Sequence, residues 1–115
     1  MMNNKCDPYI IRFNPRMTEL HKNGQKCCTT RRHIIGRFGD IFEDENIPGQ
    51  MFRIITGSIM PLKYVRDLFY TLEGFQTPDA FEAFWVEMYG SFDGEMKVFV
   101  HWYAPILKEE PDARI

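Results

Sequence analysis

Residues 97–103 (KVFVHWY) constrain the fold more than any other stretch of this chain. In an extended backbone Val98, Val100 and Trp102 share one face, and Phe99, His101 and Tyr103 share the other. A strand that is apolar on both faces must be covered on both, which fits the wall of a small barrel with a helix packed outside it. A helix suited to that task lies just upstream. Thr77 is an N-cap followed by Pro78 at the first helical position, and Gly90 supplies the stop. Between them Phe81, Phe84, Trp85, Met88 and Tyr89 fall at i, i+3, i+4, i+7 and i+8, one apolar face of a helix. That stripe reads as core packing rather than as a binding surface.

The remaining elements follow from the same reasoning. Residues 9–13 read as a short strand. Asn14 and Pro15 then start a short helix, with Met17, Leu20 and His21 on its inner side and Asn23-Gly24 at its end. Residues 26–32 favour an extended backbone, 36–40 a turn, and Ile41-Phe42 the start of a strand. Ile47-Pro48-Gly49 is a turn, and 51–55 is the clearest β run, weakened at its end by Gly57. Pro61 opens a helix with Leu62, Val65, Leu68, Phe69 and Leu72 on its buried side. Strands, then two helices, then a strand predict an α+β fold built on a small, mainly antiparallel barrel with flanking helices. The 115 residues suit one domain, here 9–107, with loose chain at 1–8 and 108–115.

With 14 basic and 16 acidic residues the formal net charge is -2, which excludes a protein that coats long nucleic acid through overall charge. The distribution is uneven, however. Residues 20–39 contain no acid, yet carry Lys22, Lys26, Arg31, Arg32 and Arg37. Such a run either contacts phosphate locally or is solvated surface. Cys6, Cys27 and Cys28 are an odd set with no CxxC spacing, which argues against a disulfide framework and a Cys/His zinc site. No apolar run approaches the roughly 18 residues of a membrane span, and no apolar signal segment is visible. The expectation is a cytoplasmic protein with no metal, no cofactor and no membrane partner; its oligomeric state is left open.

The chemistry-bearing stretch is Gly24-Gln25-Lys26-Cys27-Cys28-Thr29-Thr30-Arg31. Thr29 and Arg31 share a face of an extended chain. Lys26 and Thr29, three apart, converge only if the backbone turns or bulges between them or if Lys26 sits in the preceding loop. Gly24 permits a tight backbone there.

This stretch resembles the G-x-K-x-x-T-x-R signature of ASCH domains, with Gly24, Lys26, Thr29 and Arg31 at the fixed positions. The strand and helix before it, the Gly39-Asp40 turn after it and the closing strand extend the resemblance over roughly residues 9–104. It implies a PUA-like barrel whose cleft is floored by the motif and which handles RNA or a nucleoside. Two activities are implied. One is binding, with Gly24, Lys26, Arg31, Arg32 and Arg37 as contacts and Phe38, Trp102 or Tyr103 stacking a base. The other is the amidohydrolase activity of a small bacterial ASCH protein, which removes the acetyl group from N4-acetylcytidine. The resemblance carries that role to Lys26, Thr29 and, by position between the two later helices, Glu73. A lysine kept neutral can take the threonine proton, while a carboxylate shuttles a proton to the leaving amine but also opposes lysine neutrality. RNA cleavage and a protein-binding adaptor complete the alternatives. His33 and His101 read as structural.

Overall fold

The computed structural model describes residues 9–107; residues 1–8 and 108–115, for which the sequence predicts loose chain, lie outside the described residues. In chain order the elements are β1 (Tyr9–Ile11), α1 (Pro15–Lys22), β2 (Cys28–Arg31), β3 (Ile41–Asp44), β4 (Met51–Pro61), α2 (Leu62–Leu68), α3 (Pro78–Tyr89) and β5 (Lys97–Ile106). The sheet order is β1-β3-β4-β5-β2, with β1 parallel to β3 and every other pair antiparallel. The architecture is α+β as the sequence predicts. The sheet stays open, because β1 and β2 are its edges and do not pair with each other.

β5 is the central wall. It pairs with β4 from Lys97 to Ile106 and with β2 from Phe99 to Trp102. Its two faces feed two cores. Val98 and Val100 pack with Leu62, Val65, Phe81 and Trp85, while Tyr103 packs with Phe13, Phe42, Phe52 and Ile54. Burial of two such clusters is the dominant favourable term in folding.

The helix signals act as read. Asn14 Oδ1 accepts from Arg16 N at 2.8 Å, and Thr77 Oγ1 accepts from Ala80 N at 3.0 Å. Gly90 caps α3 at φ 91°, a left-handed conformation that costs glycine little. β1 stops at Ile11, so Phe13 enters the core from the loop rather than from a strand.

Two further expectations are revised. β4 runs through Gly57 to Pro61, because its ladder to β5 overrides the weak strand propensity of a single glycine. A bulge at Ile55 absorbs the register shift between Ile54 and Thr56. α2 ends at Leu68, so Leu68 and Leu72 are exposed rather than buried. The backbone after α2 is engaged elsewhere: Leu72 O accepts from Cys27 N at 2.9 Å, which ties this turn to the motif.

Candidate functional site

The loop from α1 to β2 places the motif. Gly24 turns the chain at φ 71°, Gln25 N bonds Leu20 O, and Lys26 lies in the loop just before β2. This is the arrangement in which Lys26 and Thr29 can reach one hollow. The Leu72–Cys27 bond then brings Glu73 against the same loop, and Gly74, at φ 102°, lets the chain turn away beside Leu20.

Lys26 and Glu73 form a buried ion pair. Lys26 Nζ donates to Glu73 Oε1 at 2.8 Å and to Cys28 O at 2.8 Å. Glu73 Oε2 accepts from the Thr30 hydroxyl and lies 3.5 Å from Cys28 Sγ. Only 5% of Lys26 and 3% of Glu73 is exposed, so both charges depend on these partners. Burial, then Glu73, pushes the Cys28 thiol up and keeps it inert; burial also raises Cys27.

Thr29 and Arg31 form the neighbouring part. Arg31 Nε donates to Thr29 Oγ1 at 3.1 Å, which leaves the Thr29 proton free to donate. Arg31 also donates to Arg12 O at 3.3 Å and stacks over Phe13 at 4.9 Å. It has no carboxylate partner among the described residues, and burial lowers its pKa. A guanidinium in that state favours an incoming anion or acyl oxygen.

Lys26, Thr29, Thr30, Arg31 and Glu73 line a cavity of about 90 Å³ whose other walls include Phe75, Phe84, Trp85 and Tyr89. At about 30 Å³ per water the space holds roughly three waters, enough to take the edge of a single base. The Trp85 indole Nε1–H is buried and has no hydrogen-bond partner among the described residues.

The structure therefore brings Lys26, Thr29, Arg31 and Glu73 together. Arg32 stacks on Tyr89 at 4.3 Å and so stands beside the cavity. Gly24 shapes the loop without lining the hollow, and Arg37 lines a different one. Of the aromatics proposed to stack a base, Tyr103 is core, Trp102 bonds Ser58, and Phe38 lies at the second cavity. The aromatic wall instead comes from α3 and Phe75. Its sequence signal was the helical stripe, which periodicity alone reads as core. No three His, Cys, Asp or Glu side chains meet in a metal-sized group, and no helix is long and apolar enough to cross a membrane, among the described residues.

His101 sits behind the motif strand. Its Nε2 accepts from Ile35 N at 3.0 Å, and Nδ1 faces Thr29 O at 3.3 Å, which requires the neutral ring with its proton on Nδ1. Burial, with a smaller effect from Arg31, lowers its pKa from 6.5. The folded pKa lies below the unfolded one, so the contribution to stability is complete above pH about 6.5. Below that the unfolded chain takes a proton that the folded chain refuses, and stability falls. The unfolding free energy from urea titration should drop between pH about 7.5 and 5.5 by up to roughly 1 kcal/mol per pH unit for this proton, and His101→Asn should remove that part of the slope.

No family model matches the sequence, and no curated protein matches it. Solved structures do match its fold. The hypothetical protein PH0355 superposes at TM-score 0.68 with 15% identity over 87% of this chain and 100% of its own. The ASCH domain from Lactobacillus crispatus JV V101 gives 0.65 and 13%, covering 84% of this chain and 78% of that one. ASCH from Zymomonas mobilis gives 0.63 and 11%, covering 83% and 65%.

The chain has the ASCH-domain fold. At these identities the likeness extends to the backbone arrangement, and the ASCH fold leaves the chemistry of the cavity to its own side chains.

Proposed function

We propose that this chain binds RNA or a modified nucleoside by holding one base in the cavity between Lys26 and Trp85. The observation that carries the reading is one cavity that joins the polar groups of Lys26, Thr29, Arg31 and Glu73 to the rings of Phe75, Phe84, Trp85 and Tyr89. Arg31, which lines it without a carboxylate partner among the described residues, is a donor for a ligand carbonyl or anion. A base offers such a carbonyl together with a π face for Phe75, Phe84 or Tyr89. The Thr29 hydroxyl supplies a further donor, and the Arg31 and Arg32 guanidiniums offer positive charge for a phosphate.

A second reading, hydrolysis of an acylated nucleoside, is favoured by Lys26, Thr29 and Glu73 lining one cavity. The Thr29 oxygen would attack the acyl carbon, its proton passing to Lys26, and the amine would leave with a proton relayed by Glu73. Water would then release the acid and restore Thr29. Against it, Lys26 Nζ is engaged by Glu73 and Cys28, while Thr29 bonds Arg31. Binding needs no such rearrangement and ranks first.

One titration tests both readings. Cytidine, uridine and N4-acetylcytidine are added while heat and tryptophan fluorescence are followed, and N4-acetylcytidine samples are assayed for released cytidine. At least one nucleoside should bind, with Arg31→Ala weakening it by roughly 10- to 150-fold. If none binds, the base-binding reading fails. Deacetylation that Thr29→Ala abolishes would establish the second reading, and no turnover would remove it.

A further inference from the structure

A second cavity, of about 250 Å³, opens between the loop after β2 and strands β4 and β5. Resting on the base-binding reading of the first cavity, we infer that this one docks a second nucleotide, so that the ligand is a single-stranded RNA segment and not a free nucleoside.

The lining has the chemistry of a base platform. Phe38 stands at its lip with 80% of its surface exposed, an unusual state for so large an apolar ring. Ile34 and Ile59 add apolar walls, with 51% and 59% exposed. Beside them the Arg37 guanidinium has no ion-pair partner among the described residues. An aromatic face next to a free cation is the pairing that single-stranded nucleic acid uses, base on ring and phosphate on charge.

The acid of the same turn is already committed. Asp40 Oδ2 accepts from Arg37 N at 2.9 Å and from the Tyr9 hydroxyl at 3.4 Å, so its carboxylate belongs to the turn.

Two observations join this cavity to the first. The segment 31–38 links them directly and carries Arg31, Arg32 and Arg37 with no acid between. The strands link them as well. Thr29, Thr30 and Arg31, which line the first cavity, are paired across the ladder with His101, Val100 and Phe99, which line the second. Neighbouring strands lie roughly 4.8 Å apart, so the two cavities are built on adjacent strands, and the 31–38 segment is the surface that runs from one to the other. The charge favours a polyanion along this route, although the whole protein is slightly acidic.

The test compares cytidine with the trinucleotide CpCpC, both by calorimetry. CpCpC should bind at least about tenfold tighter, and Phe38→Ala should remove most of that gain, in line with the stacking of one base. Arg37→Ala should reduce the steepness of the CpCpC salt dependence by roughly one phosphate contact. Both side chains are outside the first cavity, so cytidine affinity should not change in either variant. A trimer no tighter than cytidine, or a trimer gain untouched by both substitutions, overturns the second subsite and leaves the first intact. Failure of cytidine and CpCpC alike removes the base-binding reading, and this inference with it.

Discussion

Replacing Glu73 with alanine should cost about 3–5 kcal/mol of stability, a large share of what a domain this size possesses. The carboxylate has three neighbours in the interior: Lys26 at 2.8 Å, the Thr30 hydroxyl and the Cys28 thiol. Its loss leaves a buried ammonium with two backbone carbonyls, Cys28 O at 2.8 Å and that of residue 73 at 3.5 Å, and no counter-charge. That uncompensated charge, more than the missing bonds, sets the size of the effect. The charge-free double variant Lys26→Met/Glu73→Leu should therefore recover most of the loss, since a well-packed apolar pair often equals or exceeds a buried ion pair. Urea unfolding with a common slope measures both. A Glu73→Ala loss below about 1 kcal/mol would mean that water reaches Lys26 and that the pair does not hold the turn after α2 against the motif. The same double variant separates fold from function. It should unfold cooperatively and yet lose nucleoside affinity, because two of the polar groups that line the cavity are replaced by hydrocarbon.

The parts of this molecule that local chemistry controls were legible in the sequence. Asn14, Thr77 and Gly90 cap the helices, and the two-faced strand at 97–103 is the wall between two cores. What depends on distant partners was not. Glu73 is 47 positions from Lys26, so no spacing argument reaches it, and only the family resemblance proposed it. Leu68 and Leu72 continue an apolar pattern past the point where α2 stops, because the following backbone bonds to the motif instead. Trp85 and Tyr89 obey the helical period of core residues, and that period cannot distinguish a core from the wall of a cavity. Likewise, strand number could be read but not closure: whether β1 meets β2 depends on the summed twist and stagger of all five strands, which no local pattern encodes. The motif faces were ambiguous for a related reason, which the loop position of Lys26 resolves.

Asp44→Ala should be about as damaging as Glu73→Ala, roughly 3–5 kcal/mol, because three buried donors lose their acceptor rather than because a charge is stranded, and its functional consequence differs. Asp44 is fully buried and accepts from Thr18 Oγ1 at 2.7 Å, His21 Nδ1 at 2.9 Å and Asn46 N at 2.9 Å. His21 Nε2 in turn meets the Tyr103 hydroxyl at 2.5 Å. Burial lowers the His21 pKa and raises that of Tyr103, so the network is a neutral imidazole donating to Asp44 and accepting from Tyr103. The order carboxylate, imidazole, hydroxyl is that of a catalytic relay. Its surroundings argue otherwise. Phe13, Phe42 and Phe52 pack around it, and none of the three groups lines either cavity. Its work is to fasten α1 to β3 and β5, and so to hold the loop that carries Lys26. Asp44→Asn should lose less than alanine, because His21 can switch tautomer, accept from the new amide and donate to Tyr103. For both variants the affinity of the folded fraction for a bound nucleoside should match the parent. An Asp44→Asn protein with parental stability and lost affinity or turnover would show instead that this buried chain of protons serves the cavity.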